Sequence, residues 1–173
     1  MQRPCSPVAL APQHQVIAFD CGVPNLNEWL KRRARQNQAS GASRTFVSTD
    51  ADGNVVAYYA LASSAIAPAA TTGRFRRNMP DPVPVVVLGR LAIATAYQGQ
   101  GLGRALFQDA ARRVLHAADA IGIRGMLVHA LSEEAKAFYL GLGLEVSPLE
   151  PMTLMTTVAD LQAALGDSDS DRI

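Results

Sequence analysis

The chain reads as an α/β fold, a mixed central sheet flanked by helices within one domain, on three observations. Val85 to Ile93 is a β-branched, mostly apolar run with the composition of a central strand. The segment from about Leu102 to Ile121 places Leu102, Leu106, Ala110 and Val114 at i, i+4 spacing, with Leu115 and Ala118 widening the stripe, as a helix packed on a sheet requires. Strand-like and helix-like stretches alternate along the rest of the 173 residues, and the 49% hydrophobic content suits one core of that size.

Taken in order, residues 1–15 are dotted with prolines and read as an irregular N-terminal segment, with the folded domain spanning 16–163. Asn25 followed by Glu28 has the spacing of a capping box and predicts a helix with Leu26, Trp29 and Leu30 on one side. Gly41 and Ser43 end it, and Arg44 to Ser48 reads as a strand. Asp52-Gly53 signals a hairpin turn into a partner strand, Val55 to Ser63. Pro68 to Pro84 holds four prolines and no apolar period, so it is expected as a loop with room for one helical turn. After the central strand and its helix, Gly125 to Leu131 reads as a short strand. Ser132 is placed to cap a helix running through Tyr139 and stopped by Gly141 and Gly143, and Met152 to Val158 as a last strand. The acidic, serine-rich end, residues 164–173, is expected to be a disordered tail.

The most informative stretch is Gln98-Gly99-Gln100-Gly101-Leu102-Gly103, between the central strand and the helix. Glycines there remove Cβ atoms that would block a phosphate and permit backbone angles that turn several N–H groups to one side. The helix start adds unpaired amides and a positive dipole end. A dinucleotide loop would need Gly or Ala five residues after its first Gly, where this chain has Arg104 or Leu106, and no Gly-Lys-Ser/Thr follows as in a Walker loop. The spacing that fits is Gln/Arg-x-x-Gly-x-Gly/Ala, which resembles the pyrophosphate loop of the GNAT N-acetyltransferases. The bland alternative is a loop that only ties a strand to a helix.

The resemblance implies a GNAT acetyltransferase domain whose splayed central strands hold acetyl-coenzyme A as co-substrate. It assigns Leu91, Ala92 and Ile93 to the pantetheine and acetyl group, and Gln98, Gly99, Gln100, Gly101, Leu102, Gly103 and Arg104 to the pyrophosphate. Phe138-Tyr139 followed by Leu140-Gly141-Leu142-Gly143 matches the place of a GNAT general acid, which makes Tyr139 the expected proton donor to the departing thiolate. No carboxylate or histidine stands out as a base. Glu133 and Glu134 are explained by the helix dipole, and His129 by an ordinary interior or edge position on its strand. A missing base favours an α-amine, whose pKa of about 7.7 to 8.0 leaves part of it neutral, over a lysine at about 10.4.

Several separated motifs narrow the resemblance. Phe19 to Gly22 with Asn25 to Leu30, then Gly41 to Val47, Tyr58 to Leu61, Arg76 to Pro80 and Pro84 to Leu91 are together similar to the GNAT toxins of bacterial toxin–antitoxin pairs, over residues 19 to about 158. That family implies acetylation of the α-amino group on aminoacyl-tRNA, a block to translation, a ribbon-helix-helix antitoxin as partner and a homodimer. Charge is compatible with it. Residues 29–108 hold ten basic and three acidic side chains, whereas 109–173 hold five basic and ten acidic ones, within a net charge of +1. The candidates for a tRNA face are Lys31, Arg32, Arg33, Arg35, Arg44, Arg74, Arg76, Arg77 and Arg90; the plain alternative is a solvated set of arginines. Arg90 stands apart, because on the central strand it could orient substrate or simply pair with an acid.

Two other readings stay open: a GNAT enzyme acting on a small amine or a protein N-terminus, and a catalytically silent acetyl-coenzyme A-binding module. No metal is expected. Cys5 and Cys21 lack disulfide or metal-site spacing, no leader segment is apparent, and the Val83 to Ile93 run, broken by Pro84 and Arg90, is too short to span a membrane. A cytoplasmic protein with no membrane association is therefore expected.

Overall fold

The computed structural model describes residues 2–170. Its elements are β1 (Val8–Ala9), α1 (Pro24–Arg32), α2 (Ala34–Ser40), β2 (Arg44–Thr49), β3 (Val55–Ile66), α3 (Gly73–Arg76), β4 (Val83–Ile93), α4 (Leu102–Ala118), β5 (Gly125–His129), α5 (Glu133–Gly141), β6 (Glu145–Val146), β7 (Thr153–Thr157) and α6 (Val158–Ser170). The strands are hydrogen-bonded in the order β1-β2-β3-β4-β5-β7-β6. β4 and β5 run parallel while β1–β2, β2–β3, β5–β7 and β6–β7 are antiparallel, so the sheet is mixed as expected.

The chain forms two compact units. The first comprises residues up to Ala62 together with Gly89–Ala110; the second comprises Ser63–Leu88 and the chain from Ala111 onward. The first unit is built on Phe19, Leu26, Leu30, Val47, Tyr58 and Ala92, which bury one side of its strands beneath α1 and α2. The second is built on Phe75, Val83, Val85, Leu127 and Met155. At Gly125 a Cβ would lie 2.1 Å from the Thr156 carbonyl oxygen and 2.8 Å from the Phe75 ring, so only glycine fits between these backbones.

Where structure and sequence expectation differ, local physics explains it. Helix α1 starts at Pro24 with Val23 as N-cap, not at Asn25. Proline lacks the N–H that a first helical position leaves unbonded, and its fixed φ suits the helix. Glu28 is accordingly free to reach Arg32 one turn on, at 2.7 Å. The helix breaks at Arg33 (φ −116°), and α2 closes on Gly41 in the left-handed region (φ 81°). The segment expected to be irregular at 1–15 includes β1, whose Val8 and Ala9 pair with Val47 and Phe46; two residues are too few to show an alternating pattern. The tail expected to be disordered from residue 164 is instead helical as far as Ser170, and residues 171–173 lie outside the described residues. Thr157 starts that helix by accepting a hydrogen bond from the Asp160 N–H at 3.0 Å, and buried Leu161 anchors its first turn.

Candidate active site

In the first unit the predicted donor residues surround one end of β4. Pairing of β4 with β5 runs from Val85–Gly125 to Leu88–Val128, while β4 continues to Ile93. The last five residues of β4 therefore have no β5 partner in this register, leaving peptide groups on that edge for an extended ligand. Among them Ala92 is buried in the core beneath α1, while Leu91 and Ile93 are half-buried. Beyond Ile93 the chain turns through Thr95–Tyr97 into the glycine loop.

Gly99 (φ 77°) and Gly101 (φ 81°) both adopt left-handed backbone, and nothing lies within 4 Å of where a Cβ would stand on either. Glycine is needed there for the backbone angle, and the space above the loop is open. Gly103 already belongs to the first turn of α4. The Ala105 N–H returns to the Gly101 carbonyl at 3.2 Å, so the amides of residues 102–104 precede the helical ladder and stand at the positive end of a 17-residue helix. Gln100, Gly101 and Arg104 are exposed around this point. The arrangement suits an anion with several acceptor oxygens. Gln98 differs from its neighbours. Its Nε2 donates to the carbonyls of Cys21 (3.0 Å) and Ile93 (2.8 Å), and its backbone N–H turns toward the Thr95 carbonyl. Its remaining side-chain oxygen is an acceptor, which a phosphate cannot use.

Arg90 pairs with no carboxylate among the described residues. Its guanidinium lies 4.3 Å from the centroid of the Trp29 ring, which in turn stacks with Tyr58 at 5.9 Å. The Tyr58 hydroxyl donates to the Leu26 carbonyl at 2.6 Å, and burial pushes its pKa well above the ordinary tyrosine value. Strand β4 and helix α1 thus share a cation–π stack that fixes the Arg90 head, worth roughly 0.5–2 kcal/mol in general. Sequence reading had offered orientation or an acid partner for Arg90; the indole was not anticipated.

The other candidate cations divide by what their heads touch. Among the described residues Lys31, Arg33 and Arg77 are exposed and donate to no side chain. Arg35 donates to the His14 carbonyl, tying α2 to a loop, and Arg44 to that of Gln38 at 2.7 Å, tying β2 to α2. Arg76 donates to the Thr71 carbonyl at 2.6 Å, Arg74 is a bidentate partner of Asp160, and Arg32 is paired with Glu28. An arginine bonded to a carbonyl keeps its charge, whereas one paired with a carboxylate is neutralised as a pair. Sequence reading missed Arg124, whose Nε and Nη2 donate to the carbonyls of Phe75 (2.8 Å) and Arg74 (2.7 Å) and so close the C-terminal end of α3.

In the second unit Tyr139 lies on α5, begun by the Ser132 hydroxyl accepting from the Ala135 N–H. Tyr139 is only 7% exposed, and burial raises its phenol to about 12. It is therefore a more firmly protonated group than its residue type implies. Its carbonyl accepts from the Leu142 and Leu144 N–H groups, fixing the backbone on either side of Gly143. His129 is exposed at the end of β5, and its Nδ1 lies 2.9 Å from the Thr153 hydroxyl. No cluster of His, Cys, Asp and Glu suited to a metal is found among the described residues.

Comparison with known proteins agrees with this geometry. The family described as acetyltransferase (GNAT) domain matches residues 42–145. A protein of Mycobacterium tuberculosis (strain ATCC 25618 / H37Rv) described as a tRNA-acetylating toxin is 48% identical over 162 residues, which is 94% of this chain and 97% of that protein. The structure of AtaT complexed with acetyl-methionyl-tRNAfMet superimposes with a TM-score of 0.84 at 28% identity, covering 92% of this chain and 98% of AtaT. A tyrosine-to-phenylalanine mutant of KacT gives 0.81 at 32% identity, with coverage of 87% and 92%. The loop at the head of α4 and the unpaired end of β4 thus sit in a chain that follows these proteins over most of its length: it belongs to the GNAT acetyltransferase family and is an N-acetyltransferase.

Proposed function

We propose that the chain transfers the acetyl group of acetyl-coenzyme A to the α-amino group of aminoacyl-tRNA and so withdraws charged tRNA from translation. The observation that carries this reading is the 48% identity, nearly end to end, with a tRNA-acetylating toxin. Acetyl-coenzyme A supplies the acetyl thioester. The amides of Gly99 to Arg104 hold its pyrophosphate, and the unpaired backbone of Leu91 to Ile93 aligns its pantetheine arm, for which both features have the right polarity and openness. The neutral α-amine attacks the carbonyl carbon, the C–S bond breaks, and the proton lost by nitrogen ends on sulfur. Tyr139 serves this step as a hydrogen-bond donor to the sulfur as charge builds there.

For the acceptor we assign Lys31, Arg33 and Arg77 as the leading phosphate contacts, since their side chains are exposed and none of them forms a salt bridge among the described residues. Arg35, Arg44 and Arg76 add charge while bonding to backbone carbonyls of neighbouring segments. Arg90, held over Trp29, is assigned to the tRNA terminus as a fixed cation. A homodimer in the cytoplasm, silenced by a ribbon-helix-helix antitoxin, completes the proposal. The antitoxin part draws support from structures of related toxins in complex with antitoxin, as in an AtaT mutant bound to the C-terminus of the antitoxin AtaR.

The test incubates the protein with labelled acetyl-coenzyme A and charged tRNA. Label that stays on the aminoacyl ester and is lost with it on mild base treatment is the expected result. Label on a polyamine or drug, with charged tRNA left untouched, overturns the tRNA assignment in favour of a small-amine enzyme.

A further inference from the structure

Resting on the donor-loop reading above, we infer that the Asp20–Gly22 turn is the seat of the donor loop, and that Gln98 is the positioning residue that holds the loop on it. The bonds that carry this join segments 77 residues apart in the chain. Gln98 spends both side-chain N–H donors on protein carbonyls, one at Cys21 and one at Ile93, so it spans from the turn to the end of β4. The Thr95 N–H adds a bond to the Asp20 carbonyl at 2.9 Å. The turn itself is held by helix α1. Asn27 accepts from the Cys21 N–H through Oδ1 and donates to Asp20 through Nδ2, each at 2.9 Å, while Asp20 also accepts from the Gly22 N–H. Those bonds hold the Asp20 carboxyl below the usual carboxylate range, the Gly22 amide contributing most. Buried Phe19 and Cys21 fasten the turn into the core with Leu26 and Leu30.

The consequence is a division of labour within the loop motif. The glycines and the first turn of α4 present N–H groups outward, while Gln98 fixes the point from which Gly99 departs. Without that brace the left-handed angles at Gly99 and Gly101 remain accessible, but the amides no longer converge before the ligand arrives. Affinity for the pyrophosphate then falls by the cost of ordering the loop. The same chain of bonds makes α1, which carries Lys31 and Arg32, a mechanical support of the donor loop.

Gln98→Glu keeps the size of the side chain and removes both donors, Gln98→Met removes polarity without adding charge, and Gln98→Arg restores donors on a longer stem. Calorimetry with coenzyme A is expected to show Kd raised about tenfold or more for Glu and Met and restored to within threefold by Arg, with Tm for all three within a few degrees of the native protein. Asn27→Ala is expected to weaken coenzyme A by the same route, so that combined with Gln98→Met it adds less than its single effect. Gln98→Met binding coenzyme A within twofold of native, or full additivity with Asn27→Ala, overturns the inference and leaves the donor-loop reading standing. A native protein that does not bind coenzyme A overturns both.

Discussion

Replacing Tyr139 with phenylalanine should slow acetyl transfer by about one to two orders of magnitude while leaving coenzyme A affinity unchanged. The size follows from burial. With its phenol at about 12, handing a full proton to a thiolate of pKa about 8.5 would be uphill by roughly 3.5 units, on the order of 5 kcal/mol. Complete transfer is therefore not what this side chain offers. What it offers is a hydrogen bond to sulfur as negative charge develops, and a charge-assisted bond of that kind is worth about 1.5–3 kcal/mol, or roughly 10- to 150-fold in kcat. At 7% exposure the position admits little water to replace the lost donor. The assay follows release of the coenzyme A thiol under saturating donor, with Kd measured separately by calorimetry. The pH profile supplies a second signature, because a hydroxyl held near 12 keeps donating through pH 10, where an ordinary tyrosine would already be half ionised. The assignment fails if kcat stays within threefold of native, or if the whole effect appears in coenzyme affinity.

Gly125→Ala should destabilise the second unit by about 3 kcal/mol or more, since the new methyl meets the Thr156 carbonyl and the Phe75 ring and the backbone on one side cannot yield. Urea unfolding is the measurement, and a variant as stable as native would mean that the β5–β7 spacing is softer than described. Tyr139 also predicts alkaline loss of stability. Its folded value lies above the ordinary value of about 10, so its contribution is intact below pH 10 and is lost as pH climbs toward 12. The loss approaches about 2.7 kcal/mol, and Tyr58 adds in the same direction. Unfolding curves at pH 9 and pH 11.5 should show Tyr139→Phe losing less than the native chain, and equal losses would argue against the shift. Arg77→Ala should reduce activity on charged tRNA several-fold and lower the slope of log activity against log salt by about 1, with coenzyme A binding unchanged. An unchanged salt slope would remove Arg77 from the tRNA face.

The sequence was legible where chemistry imposes its own spacing. Gly99 and Gly101 occupy positions whose backbone angles strongly favour glycine, and Ser132 caps the helix assigned to it. The β-branched run at 85–93 became the central strand, extended by two residues. What could not be read were relations fixed only by packing. The Asn25–Glu28 spacing satisfied the capping pattern, but Pro24 offered a start at lower cost. Arg90 could not be matched to Trp29, because the two are 61 positions apart and no pattern in either segment signals a cation over an indole. Nothing in the sequence around Arg124 marks it, and only the folded chain brings the α3 carbonyls to it. Gln98 was read as part of a motif that touches ligand, and its role became specific only when both of its N–H donors were found on protein carbonyls.

The end of β4 carries a further consequence, for how the protein behaves when donor is scarce. Five residues of strand, half-buried apart from buried Ala92, run past the β5 pairing and leave peptide groups to which another extended chain can hydrogen-bond. A molecule lying along that edge occupies those groups. In the proposed function the coenzyme is such a molecule, so it would shield this edge from a second extended chain as well as supply the acetyl group.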